Sequence, residues 1–430
     1  MSTQTGEASI PIHETPLAGV TTVVDRKAPV LFGVLTLGLL LIVALVPESG
    51  ETTFRLAAPS DFAQVPTVTV PSTTTAWLLV VVCALCTAWS MLLYRRGRNA
   101  PLWLVAIFSL AWVVGFLTWA ATGGTIPVVG LLAGSLALAV PLVFGALGGV
   151  LGERSGVVNI AIDGQLLAGA FAAAIVASAV GSPWAGLAAA MVAGTLVALI
   201  LGLFAITYFV DQVIVGVVLN VLVIGLTSFM FTQVLAPNAA SLNSPPRFDV
   251  VPIPVLGDIP LVGPVFFRQT VIVYLLYVAV AVVTWTLYRT RWGLRVRAVG
   301  EHPKAADTVG IKVNRTRYRT ILIAGAVAGM GGAFYTLVSV PQFNREMTGG
   351  AGYIALAAVI FGKWDPIRAT LAALLFGFAS NLQGVLSVIG SPVPSQFMLM
   401  LPYVVTIFAV AGLVGKSRPP AADGIPYRKG

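Results

Sequence analysis

A chain of 430 residues with 57% hydrophobic residues, only 10% charged ones and a mean hydropathy of +0.93 is not a water-soluble domain, since about a quarter of such a domain's residues are charged. Its apolar runs are continuous and do not alternate, which excludes a transmembrane barrel, and its length admits about a dozen helices of roughly 20 residues each. The net charge of +9 could suit nucleic acid in a soluble protein, but in a membrane protein it reflects positive residues kept on one face.

The first twenty residues are polar and lack the charged-then-apolar order of a cleavable signal peptide. Apolar runs then follow at 28–46, 76–94, 101–121, 126–151, 157–180, 184–208, 213–235, 270–288, 318–340, 353–361, 366–388 and 395–414. The fold class expected is an all-α polytopic membrane protein of about twelve helices. The tenth run is too short to cross alone; it either begins earlier, through the glycines at 349–352, or is a broken helix lining a cavity. With the N-terminus inside, all of the 25 Lys and Arg except Arg55, Arg247, Arg268 and Arg345 fall on the cytoplasmic side. The expected topology is therefore N-in, C-in. Cys83 and Cys86 form a C-x-x-C pair inside an apolar run, where two small thiols are a better reading than redox chemistry. Segments 47–75 and 236–269, rich in Pro, Thr, Ser and Asn, are expected as extended external loops.

Three spans carry polar side chains. Asn159, Asp163 and Gln165 lie in the fifth, Asn220 in the seventh, and Asn381 and Gln383, beside Ser380, in the eleventh. Polar groups in hydrocarbon face other helices or a cavity, so interhelical hydrogen bonding and a solute path both stand open. Amides and hydroxyls without a strong charge suit a neutral solute bearing hydroxyls and nitrogens, and fit a proton relay poorly. Asp211 and Asp365, the latter followed by Pro366, have the form of helix N-caps. Glycines spaced by four, Gly145/Gly149, Gly148/Gly152 and Gly325/Gly329, indicate close helix packing. Gly415-Lys416-Ser417 imitates the end of a phosphate-binding loop, but the earlier glycine position is Val410 and no strand precedes it. No nucleotide site and no metal cluster is expected; both histidines, His13 and His302, lie outside the spans.

Between the eighth and ninth spans lies a basic island, 293–313, whose middle has the marks of a short surface helix: Pro303 at the first position and Gly310 closing the end in a left-handed conformation. The stretch Gly300, Glu301, His302, Pro303, Lys304, Ala305, Ala306, continuing through Asp307 to Gly310, resembles the cytoplasmic coupling segment of ABC-importer permeases of the branched-chain amino acid, ribose and simple-sugar group. The run from Glu153 to Ile160, and that from Asp211 to Gly216, resemble the nucleoside and simple-sugar branch, which usually carries Glu where this chain has Asp163. The resemblance covers about 128–415. It implies a permease domain at 126–415 with its coupling segment at 293–313, after an accessory region of three helices at 1–125 and before a cytoplasmic tail at 416–430. It further implies a bacterial plasma-membrane subunit that moves nucleosides or simple sugars inward. The implied partners are a second permease, making a heterodimer, a cytoplasmic ABC ATPase that binds the ATP-Mg, and an external substrate-binding lipoprotein; this chain itself would hold no cofactor. The alternatives are a self-sufficient secondary transporter and a permease for branched-chain amino acids.

Overall fold

The computed structural model describes residues 26–57, 65–390, 396–397, 400 and 418–429. Two compact units emerge. The first comprises the described part of Met1–Pro47 with Thr73–Leu117. It holds α1 (Lys27–Leu45), most of α2 (Ser72–Arg95) and most of α3 (Leu102–Ala120). Phe32 stacks on Phe108 with ring centroids 3.9 Å apart, and the Trp112 indole donates to the Leu35 carbonyl at 3.0 Å.

The second unit takes Glu48–Ser72 and everything from Thr118. Within 47–75, expected as an extended external loop, lie β1 (Glu51–Arg55) and β2 (Val68–Pro71), which pair antiparallel. β3 (Thr125–Pro127) joins β1 in parallel register, Thr53 opposite Thr125. The strands satisfy backbone groups that an extended loop would leave to water.

The body of this unit is helical: α4 (Val128–Arg154), α5 (Ile162–Val180), α6 (Pro183–Gly202) and α7 (Gln212–Met230). After a single turn, α8 (Ala239–Leu242), and the hairpin of β4 (Val250–Pro252) with β5 (Arg268–Thr270), come α9 (Val271–Arg289), α10 (Arg291–Glu301), α11 (Pro303–Thr308) and α12 (Val313–Phe334). α13 (Ala351–Phe361) and α14 (Pro366–Ile389) complete it. π-turns extend α6, α7 and α12 to Thr207, Leu235 and Ser339. Asp211 caps α7, accepting from the N–H groups of Val213 and Ile214, and Asp365 caps α14 through Arg368 N–H, as their positions suggested.

α4 and α12 form the centre; α12 packs on α4, α5 and α6, and α4 on α13 and α14. Lipid tails are as apolar as these helices, so packing rests on close approach instead of a gain from leaving water. The spaced glycines provide it: a methyl at Gly148 would meet the Ala324 carbonyl, and methyls at Gly325 and Gly329 would overlap the backbone of Gly194 and Ala190 on α6.

Among the described residues ten helices are long and apolar enough to span a bilayer. They match the first nine and the eleventh of the expected runs, except that the fifth begins at Ile162 and leaves 155–161 as a non-helical turn. The twelfth run, 395–414, and Gly415-Lys416-Ser417 lie outside the described residues. The tenth run is the 11-residue α13, about 16 Å long at 1.5 Å per residue. Residues 340–350 before it carry no regular helix, with left-handed φ at Glu346, Gly349 and Gly350. Arg154 at the end of α4 donates to the Trp364 carbonyl at 2.9 Å, and Arg317 near the start of α12 lies against Gly156. α12 and α14 therefore start at the same basic face, and 340–361 brings the chain back as a half-helix preceded by irregular backbone.

Candidate coupling surface and transport pathway

The non-helical turn 155–161 puts two polar segments together. Asn159 and Gln165 form a reciprocal amide pair, each donating to the other at 3.1 Å, and both are fully buried. Asp163, in the first turn of α5, accepts from the N–H of Gly352 at 2.9 Å and from the Thr348 hydroxyl at 3.4 Å. Gly352 lies in the first turn of α13 and Thr348 just before it, so the carboxylate meets the positive end of the half-helix inside the protein. Gly352 is required by the contact, because a methyl there would overlap the Asp163 backbone. From α7, Asn220 accepts from Gly164 N–H at 2.8 Å and donates to the Ile160 carbonyl at 2.9 Å and the Tyr353 hydroxyl at 3.1 Å.

Four of the six pathway candidates thus lie together in one knot: Asp163 and Asn220 join α5, α7 and α13, and the Asn159–Gln165 pair ties the turn 155–161 to α5. Every side-chain oxygen and nitrogen of the four has a protein partner, so this conformation uses Asp163 and Asn220 to hold helices together and Asn159 with Gln165 to fix the turn before α5. The other two lie apart. Asn381 on α14 donates to the Leu131 carbonyl at 2.7 Å and faces Ser135 of α4; Gln383 is half-buried on the same helix. Sequence reasoning missed Thr348 and Tyr353, which complete the knot; the glycines around them were the available signal.

The basic island folds as two helices. Thr290 caps α10 by accepting from Gly293 N–H at 3.1 Å. α10 turns Val296, Val299 and Gly300 inward, and Gly300 lies so close to the Arg154 carbonyl that a methyl would overlap it. His302 breaks the run, Pro303 starts α11, and Gly310 takes φ +85°, as the sequence suggested. Glu301, His302, Lys304, Ala305 and Gly310 are exposed, Pro303 and Asp307 half-buried, and Ala306 buried. The pair therefore presents a mixed outer surface, polar at Glu301, His302 and Lys304 and apolar at Leu294 and Val309, on a seated base.

The C-terminal segment 418–429 covers one side of that base, an arrangement the sequence did not suggest. Ala422 N–H donates to the Gly300 carbonyl at 2.8 Å and Ala421 N–H to the Glu301 carboxylate at 3.2 Å. Tyr427 packs on Val299, Ala306 and Val313, and its hydroxyl bonds Asp307. The Arg317 guanidinium donates to the carbonyls of Ile425, at 2.9 Å, and Ala422, at 3.4 Å. Asp423 faces Glu153 and Arg317, and burial pushes its carboxyl up to about 7. Glu153 is held in turn by the Trp364 indole N–H.

Residues 131–410 match the family described as branched-chain amino acid transport system / permease component. The chain is 43% identical over 309 residues to the guanosine ABC transporter permease protein NupQ of Bacillus subtilis, a match covering 69% of this chain and 95% of that one. It is 36% identical over 312 residues to the nucleoside ABC transporter permease protein NupC of Lactococcus lactis, covering 70% and 96%. A second Bacillus subtilis protein, the guanosine permease protein NupP, is 26% identical over 304 residues, covering 66% and 83%. No solved structure matches the chain. The chain belongs to the permease-component family of these ABC transport systems. It is a multi-pass protein of the bacterial plasma membrane.

Proposed function

We propose that this chain is one of two related permease subunits of an ATP-driven importer for a nucleoside, with simple sugars the nearest other solutes. The solute class follows the names of the relatives that the chain matches over nearly their whole length. Two related chains of Bacillus subtilis both resemble this one, which supports a heterodimer. The observation that carries the mechanism is the α10–α11 pair: α10 capped by Thr290, α11 begun by Pro303, both with exposed polar residues, and α10 seated directly on the end of α4 through Gly300.

In this reading α10 and α11 face the cytoplasm and receive the partner ATPase, which binds ATP-Mg; an external binding protein delivers the solute. Closure of the ATPases pushes on α11, and the push reaches α4 and α12 through Gly300, Ala306 and Val313. Rocking of those helices changes access to a path beside the half-helix. The knot of Asn159, Asp163, Gln165 and Asn220 then exchanges some interhelical hydrogen bonds for solute or water, and Asn381 and Gln383 line the same path farther along.

The test is uptake in reconstituted vesicles with the ATPase, second permease and binding protein present. Lys304→Glu on the exposed face of α11 is expected to lower ATP-driven uptake at least tenfold while the chain's thermal midpoint stays unchanged. Wild-type rates in that variant would remove α11 from the docking surface. Competition of uptake by guanosine, ribose and leucine assigns the solute class; inhibition by leucine alone would overturn the nucleoside reading.

A further inference from the structure

Beside the coupling helices is a cavity of about 300 Å³ whose wall includes Arg295, Lys312, Arg315 and Arg319, with Thr316 and Trp292. No carboxylate lines it, and none of the four cations pairs with a described acid. Four positive charges around one hollow, with no acid among the described residues paired to them, repel one another, and an anion relieves that. Trp292 also lines a second cavity, an apolar groove of about 540 Å³ between α9 and α12. Its walls include Leu275, Val278 and Val282 from α9 and Ile323, Val327 and Met330 from α12.

The two cavities meet at Trp292 and follow one another along one face of α12. On α12, Arg315, Arg319, Ile323 and Val327 follow at intervals of four, with Met330 three further. Such spacing places them on one stripe, cationic where the helix leaves the membrane and hydrocarbon within it. On α9, Leu275, Val278, Val282 and Thr286 form the facing stripe; it runs for about 16 Å, the depth of one leaflet's hydrocarbon. Trp292 stands where the two parts meet, the level at which indoles favour the lipid–water boundary.

We propose that this region holds one anionic phospholipid, its phosphate in the basic cavity between α10 and the start of α12 and an acyl chain in the groove between α9 and α12. A free phosphate compound would use the basic cavity alone, and a partner helix would use the groove alone. An anionic lipid uses both and explains why they share a wall. The proposal rests on α9 and α12 spanning the bilayer and is independent of the solute; Gly310 and Lys312 of the coupling segment also line the basic cavity, and the lipid test uses this chain without the ATPase.

The experiment is native mass spectrometry of the delipidated full-length protein, supplied in turn with phosphatidylglycerol, phosphatidylcholine of the same chains, and glycerol 3-phosphate. Phosphatidylglycerol is expected to be retained at least tenfold better than phosphatidylcholine, and glycerol 3-phosphate not to displace it. Arg315→Gln with Arg319→Gln is expected to abolish the preference between lipids. Val278→Trp, which fills the groove, is expected to reduce retention of both. Equal retention of the two lipids by the unaltered protein, a comparison that needs no variant to fold, overturns the proposal. Displacement by glycerol 3-phosphate at equal concentration would assign the cavity to a free phosphate instead. Cross-linking of Val278→Cys to the second permease in the assembled complex would assign the groove to that partner.

Discussion

At the scale of single residues, Asp163 is the side chain whose sequence reading divided most evenly between solute and structure. In this conformation both its oxygens are spent on the start of α13. A capping carboxylate contributes about 0.5–2 kcal/mol, and a buried polar group left without its partner costs about 1–3 kcal/mol. Asp163→Ala is therefore expected to destabilise the protein by about 1–3 kcal/mol, read as a lowered thermal midpoint in detergent. Asp163→Asn keeps an acceptor for Gly352 N–H and is expected to recover most of the loss. If Asp163→Ala melts like the unaltered protein but fails to transport, the side chain serves the solute and the cap is incidental. The residue types and the span were readable from sequence. The partner was not, because Gly352 lies 189 residues away and no local pattern encodes so distant a contact.

At the scale of elements, α11 was legible because its signals are local: a proline that can begin a helix, a glycine that can end one, and charge on either side. The short tenth run was legible for the same reason, since 11 apolar residues flanked by glycines cannot form a full crossing. The C-terminal segment was not legible; its anchors, Gly300, Asp307 and Arg317, all lie more than a hundred residues earlier. Its docking carries a pH signature. Burial raises the Asp423 carboxyl from 3.8 to about 7, so the docked segment binds a proton more tightly than the free one. The linkage then favours docking fully below the ordinary carboxyl range, and that contribution is lost as pH rises through about 7. Protease cleavage within 418–429 of the full-length protein is expected to be faster at pH 8 than at pH 5.5, after correction for the protease's own profile. Asp423→Asn should flatten the difference. A variant that keeps the full pH dependence would place the titrating group elsewhere.

At the scale of the whole molecule, the distribution of Lys and Arg predicts which face is cytoplasmic, and the fold supplies places to check it. Lys304 on α11 lies at the basic face, with Arg154 and Arg317. Asn238 precedes α8 in the connection that follows the other end of α7, and it is exposed. The native thiols, Cys83 and Cys86, are buried in α2, so they leave a low background for thiol labelling. In right-side-out vesicles an impermeant maleimide is expected to label Asn238→Cys and to spare Lys304→Cys until the membrane is opened. Inverted vesicles should reverse the pattern. Labelling of Lys304→Cys from outside would turn the molecule over, place α10 and α11 beyond the reach of any cytoplasmic ATPase, and remove the coupling mechanism altogether. The sequence argument is strong here because orientation is set by the sum of many charges, so misjudging the edge of one span by a few residues leaves the balance unchanged. Local contacts such as the Asp163 cap have no such averaging, so the kind of sequence argument that predicts orientation does not reach the polar knot.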